Sequence, residues 1–448
     1  MGQHSSPRPP QRKWCDSGHA SLCLLGDYLR RTGFFQPLEE QVRLQQKVRQ
    51  YTPVQKLEMV FVSLLAGAKT VYQTGTTLRV DPALQAAFGL PGCADQSVLA
   101  DTLDAATAAD VAALRQVVEA SFGQYGQAWR HDWRPAVLVL DVDLSPLPTS
   151  KRAEGATRGY MGRCRSKTGR KLVRVRAAAS QETLWEEVLP GNTVETLAVL
   201  QQAVAATERL LGVAGDSAEA VAQRGRIEFR LDSGWGSEDL IHWLLTRGYQ
   251  VTGKFKSPAR VRKLVRPITT WEPTGSPGRE VARIPEPVAL ARPCAQYAVR
   301  TPSKDKPGGY YQAVLFTSRT ELGMQELVDH YDARAGMEAD IKGDKRGLGL
   351  GVLRKQKLAA QQVVVLLGQW AHNVLLWARR WLAQGSPRLA AFGIVRLVQE
   401  VCAVPGRVKL TAAGVTRIRL RPAHPCARDA YHGLRLLCSS GQTLGFLG

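Results

Sequence analysis

The run AVLVLDVDLS, residues 136–145, restricts this chain more than any other stretch of it. Its apolar, β-branched residues read as a buried strand, yet two aspartates are set into its far end. Strand alternation puts Val137, Val139, Asp141 and Asp143 on one face. The sequence that follows fits this strand into a sheet. Strands are expected near 171–179 and 184–189, followed by the helix TVETLAVLQQAVAATERLLG. Next come a strand RIEFRLD at 226–232, a helix SEDLIHWLLTRG capped by Ser237, and a strand YQVTGKF. Three strands, a helix, a strand and another helix make an α/β pattern, most simply a mixed sheet with helices on both faces.

The flanks read differently. Residues 34–130 are helical in pattern, through LEEQVRLQQKVRQ, TPVQKLEMVFVSLLAGA and DQSVLADTLDAAT, the last with Asp95 placed to cap it. Residues 257–318 are rich in Pro, Gly and charge, with strand-like QYAVRT and YYQAVLFT, and read as an inserted β-rich subdomain. Beyond them come a helix around 331–345, an apolar helix at 357–382, a helix near 388–402 and a basic β-like tail, GRVKLTAAGVTRIRLRP. The expected division is a flexible basic arm and lead-in at 1–33, a helical DNA-binding domain at 34–133 and the first part of an α/β core at 134–256. The insertion at 257–318, the second part of the core at 319–404 and a basic tail at 405–448 complete it.

Charge narrows the class of partner. Sixty Lys and Arg against 39 Asp and Glu give the 448-residue chain a formal charge of +21, which points to a polyanion, nucleic acid first. The eight cysteines form no C-x-x-C, so neither a zinc site nor a disulfide framework is indicated, and a reducing cytosol is expected. Gln369, His372 and Asn373 interrupt the longest apolar run, so no membrane span is expected.

The acids can then be placed. Asp141 and Asp143 lie where the first strand leaves the core, and Asp232 ends RIEFRLD just before a Gly-rich turn. Within YDARAGMEADIKGDK, residues 331–345, helical spacing gathers Tyr331, Arg334, Glu338 and Lys345 into one polar stripe where a core helix would carry Leu or Val. Two strand-end Asp and one helical Glu at one sheet edge could hold hard cations through oxygen ligands. Paired Mg²⁺ in such a cage clamps the attacking and leaving oxygens of a phosphodiester displacement. Taken singly, each residue has an ordinary explanation. Asp232 suits a turn, Glu338 a solvated helix face, and Arg334 with Glu338 a surface i, i+4 pair.

Taken together, the spacing Y-(2)-R-(3)-E-(6)-K around Glu338 resembles the signature of bacterial insertion-sequence DDE transposases of the cut-and-paste type. LDVDLS, GYMGRCRSKTG, LPGNT, RLDSGWGS and GRVKLTAAGVTRIRLRP extend the resemblance over roughly residues 20–430. It implies a ribonuclease-H-like catalytic core interrupted by a β-strand insertion before the Glu, with Asp143, Asp232 and Glu338 as catalytic metal ligands. Asp143 is preferred over Asp141 because Asp143-Leu144-Ser145 fits the family's first motif, with Ser145 in place of Thr. The implied cofactor is a pair of Mg²⁺ ions, for which Mn²⁺ substitutes. The implied partners are double-stranded DNA, as terminal inverted repeats and target, and a second copy of the chain in the DNA complex, in a bacterial cytoplasm at the nucleoid. Tyr331, Arg334 and Lys345 are expected to grip the strand beside the metal. Arg163, Arg165 and Lys167 in the basic stretch, with Lys254 and Lys256 opening the insertion, are expected to contact DNA, and Trp271 to stack on an unpaired base. Two other readings stay open: a transposase-derived DNA-binding protein without catalysis, and a ribonuclease-H-like nuclease without strand transfer.

Overall fold

The computed structural model describes residues 13–162, 167–303, 308–411 and 414–447. The first twelve residues of the expected basic arm, together with Arg163 and Arg165, lie outside the described residues. The strands in chain order are β1 (Lys13–Ser17), β2 (Leu138–Pro148), β3 (Thr157–Arg158), β4 (Thr168–Ala177), β5 (Thr183–Pro190), β6 (Ile227–Leu231) and β7 (Gln250–Lys254). They continue with β8 (Glu272–Pro273), β9 (Glu280–Arg283), β10 (Ala295–Pro302), β11 (Tyr310–Thr317), β12 (Gly406–Thr411), β13 (Gly414–Leu420) and β14 (Thr443–Phe446). The chain is mixed α/β and divides into two compact units. One gathers the described parts of 1–126, 149–155 and 340–448; the other gathers 127–148 and 156–339.

The second unit is built on one ten-stranded sheet in the order β3-β4-β2-β6-β7-β11-β10-β9-β8, with β5 paired to β4. Strands β2, β6 and β7 run parallel, and the remaining pairs are antiparallel. The parallel steps are bridged by helices such as Leu197–Leu211 and Glu238–Thr246, as a crossover requires. Ser237 stands at the N-cap of the latter in extended conformation, without a side-chain capping bond. The insertion is continuous with the core sheet: β11 pairs with β7 from Leu315 opposite Lys254 to Thr317 opposite Thr252.

Strand alternation gives this sheet two unlike faces. Leu138, Leu140, Val142, Ile227, Phe229 and Leu231 are buried on one. The alternate positions bury Asp141, Arg174, Arg176, Glu228 and Arg230, each beside an opposite charge. Asp141 accepts from Arg230 Nε at 2.6 Å and Nη2 at 3.0 Å and from Arg176 Nη1 at 3.1 Å. Arg174 Nε donates to Glu186 at 2.6 Å. Much of the basic stretch after residue 168 is therefore interior ion pairing and not a solvated loop.

In the first unit the described elements between 34 and 130 are helical, as the pattern predicts, but they share one compact unit with the C-terminal residues. The apolar helix forms as Leu358–Ala383. Its Trp370 ring stacks on Phe34 at 4.8 Å and packs on Phe61 at 4.4 Å, while Trp377 packs on Tyr125 at 5.4 Å. His372, one of the residues that interrupt the apolar run, is buried with its Nδ1 2.7 Å from Asp344. No helix among the described residues is long and apolar enough to cross a membrane. The helix expected near 388–402 is instead a 3₁₀ turn, one helical turn and a π turn in succession. The basic tail forms the hairpin β12–β13 within a second sheet, β1-β12-β13-β14.

Candidate active site

Asp143 and Asp232 each stand one residue past Val142 and Leu231, which are partners on the adjacent parallel strands β2 and β6. Parallel pairing thus sets the two acids at adjacent positions where β6 ends, with Asp143 inside β2, which runs on to Pro148 against β4. Asp143 Oδ2 accepts from Ser145 Oγ at 2.7 Å, and its Oδ1 accepts from Arg334 Nη2 at 2.8 Å. Asp232 Oδ1 accepts from the backbone of Gly234 at 2.9 Å and of Trp235 at 3.3 Å, the turn-forming role that its position before SGWGS suggested. The turn is fixed by close approach, because a side chain at Gly236 would fall 1.8 Å from the Lys254 carbonyl oxygen.

Electrostatics tie the two acids together. Burial raises the Asp232 pKa, the negative charges of Asp143 and Glu195 raise it further, and Arg334 opposes them. Arg334 is itself buried; burial disfavours its charge, but the carboxylates of Asp143 and Asp232 outweigh that and hold its pKa above the ordinary value. Its Nη2 also donates to the Val142 carbonyl at 3.0 Å. A buried guanidinium beside two half-buried carboxylates supplies the countercharge of the acid pair.

The polar stripe of residues 331–345 is not one helix. Helix Met324–Asp332 ends, Ala333 and Arg334 form the turn, and a second helix runs Ala335–Gly347. The break is made by tight three-residue bonds, Arg334 N to Tyr331 O at 3.1 Å and Met337 N to Arg334 O at 2.9 Å, and it turns Arg334 inward. Tyr331 lies on the first helix, packed against the cluster of Val281, Tyr297 and Leu327. Burial pushes its hydroxyl up to about 12, with Arg334 opposing and Asp232, Asp332 and Glu338 adding to the rise. Glu338 is exposed on the second helix. Lys345 is half-buried and belongs to the first unit. Among the described residues no three His, Cys, Asp or Glu side chains are grouped closely enough to hold a metal ion. The donor chemistry of the two Asp suits a hard divalent cation.

Two contributors were not singled out in the sequence. Glu195 lies against Gly234 beside Asp232, and Lys256 Nζ approaches its Oε2 at 3.8 Å. Lys171, whose pKa is lowered chiefly by burial and supported by Glu195 and Asp143, donates to the Tyr160 carbonyl at 2.7 Å. Glu195 follows LPGNT and Lys171 lies in the basic stretch, so each was adjacent to a noted motif but had no marker of its own. Lys254 is half-buried at the same strand end, with burial and Arg279 lowering its pKa against the pull of Asp232 and Asp332. Lys167 is exposed. One face of Trp271 is covered by the Arg300 guanidinium at 4.4 Å, and the same guanidinium lies 4.6 Å from the Tyr310 ring.

No protein-family model matches this chain, and no curated protein matches it. Among solved structures it is similar to a chain in the cryo-EM structure of the piggyBac transposase synaptic complex with hairpin DNA. The two are 11% identical over 88% of this chain and 83% of that one, with a TM-score of 0.48. At that level the likeness carries no argument about the chemistry.

Proposed function

We propose that this chain is a DNA transposase with a ribonuclease-H-like core. It binds the terminal inverted repeats of its element, cleaves the phosphodiester bonds there and joins the freed 3′-hydroxyls to target DNA. The reading is supported above all by Asp143 and Asp232, set at adjacent positions where β6 ends, with Lys171, Lys254 and Lys256 around them. Asp143 and Asp232 would hold divalent metal, Mg²⁺ or Mn²⁺, with Glu338 as the third ligand brought in from the adjoining helix. When bound, such ions activate the attacking oxygen and stabilise the leaving one. The chain's own part is positioning. Asp141, with both oxygens taken by arginines, holds β2 against β6 and leaves Asp143 as the acid that faces substrate. The lysines around the acids supply charge for the phosphates of the cut strand, and a second copy of the chain would hold the other end.

One observation favours a second reading, a transposase-derived DNA-binding protein without cleavage: Glu338 is exposed, and among the described residues no three acidic, His or Cys side chains are grouped as a metal site. The two are separated by measuring Mg²⁺-dependent nicking and end-DNA binding side by side for Asp143→Asn, Asp232→Asn and Glu338→Gln. Each is expected to lose nicking at least about 100-fold, as removal of a group that acts in the transition state does, with binding retained. Nicking at the wild-type rate by Asp232→Asn would sink the catalytic reading, and the same result for Glu338→Gln alone would remove only the third ligand.

A further inference from the structure

The second sheet, β1-β12-β13-β14, has an ordinary inner face and an unusual outer one. Inward, Val408 lies opposite Ile418 and Ile418 opposite Leu444. Outward, Arg407 lies directly opposite Arg419 and Lys409 directly opposite Arg417. The neighbouring strand completes the two rows with Asp16 opposite Arg407 and Trp14 opposite Lys409. Arg407, Arg417 and Arg419 are exposed. The single acid in the patch, Asp16, approaches Arg407 at 3.4 Å from a largely solvated position. Like charges facing each other across a ladder destabilise a sheet, and two such pairs stand in succession here. The guanidiniums of Arg419 and Arg407 also lie over the Trp14 ring, at 5.3 and 5.9 Å, which limits the orientations their long side chains sample.

We propose that this outer face binds the phosphodiester backbone of duplex DNA, on a different sheet from the one that carries the acid pair. Four cations in two parallel rows on a rigid sheet complement a phosphate row, and their mutual repulsion is relieved when phosphates take the place of counterions. The contact is sequence-independent, because it offers charge and no groove-reading element. It rests on the DNA-acting reading above and adds to it a second place where the strand is held.

The test uses the full chain and a 30-base-pair duplex, with affinity measured by fluorescence anisotropy across a salt series. Arg417→Thr/Arg419→Thr removes one charge from each facing pair with a β-forming residue. The slope of log affinity against log salt is expected to fall by about 2, while the melting temperature at low salt holds or rises. Arg428→Gln/Arg435→Gln, two exposed arginines off this face, serves as the charge-matched control and is expected to lose less affinity. Arg407→Gln, a single change in the same row, is expected to lower the slope by about 1 and serves if the double variant does not fold. An unchanged slope in these variants, or a loss no greater than the control's, overturns the proposal. So does a variant that keeps DNA affinity but loses binding to phosphatidylserine vesicles, which would assign the face to a membrane. Wild-type nicking is scored in the same preparation, so failure of the catalytic reading registers separately from failure of this surface.

Discussion

Asp141 and Asp143 are two residues apart, on the same face of one strand, yet their surroundings assign them opposite work. Asp141 is fully buried, with both oxygens taken by Arg176 and Arg230, whereas Asp143 keeps a partly exposed carboxylate beside Ser145 and Arg334. Asp141→Asn strands two buried guanidiniums and is expected to cost about 3–5 kcal/mol, measured by urea denaturation. Asp143→Asn, at the rim, is expected to cost no more than about 1–2 kcal/mol. Equal costs would mean that both acids are structural. The alternation of AVLVLDVDLS put both acids on one face, but it could not separate them, because the difference lies in which residues of β4 and β6 stand opposite. That register is non-local: Asp141 meets Arg176 and Arg230 across 35 and 89 residues of chain. Arg334 was legible as a polar residue near the site; its inward turn was not, since it depends on a break between helices that the spacing alone reads as continuous.

At the scale of elements, strand limits were read most closely where apolar alternation and turn residues agree, as in YYQAVLFT, which forms β11 at Tyr310–Thr317. Helices with mixed faces were read less well. The helix Pro53–Leu65 was expected from its apolar pattern and is closed at its start by a capping box between Thr52 and Gln55. It carries Glu58 into the interior, where burial, reinforced by the charge of Glu39, pushes the carboxyl up to about 8. A folded-state value raised above the unfolded one means that the folded protein binds the extra proton. Its contribution is full below about 4.5 and is lost as pH rises towards about 8. Glu58→Gln is therefore expected to gain on the order of 3 kcal/mol at pH 8.5 and little at pH 4.5, read from denaturation at both pH values. A wild-type stability that does not fall over this window, or a variant with the same pH profile, contradicts the assignment.

Across the whole molecule, the sequence suggests six consecutive pieces, while the structure closes one unit from segments at both ends of the chain. Local pattern cannot show this, because the aromatic core of that unit joins Phe34 and Phe61 to Trp370. A fragment ending at Gly126 lacks the helix Leu358–Ala383 and is expected to show helical far-ultraviolet dichroism without cooperative melting. Supplying 340–448 as a second chain is expected to restore a sharp transition. A cooperative melt for the N-terminal fragment alone would show that it holds its own core. The same arrangement has a consequence for synthesis. A ribosome moving at about 5–20 residues per second takes roughly tens of seconds to pass from Gly126 to Trp370. Throughout that interval Phe34 and Phe61 have emerged without the ring that covers them, so the nascent chain carries an open aromatic surface for most of its own translation.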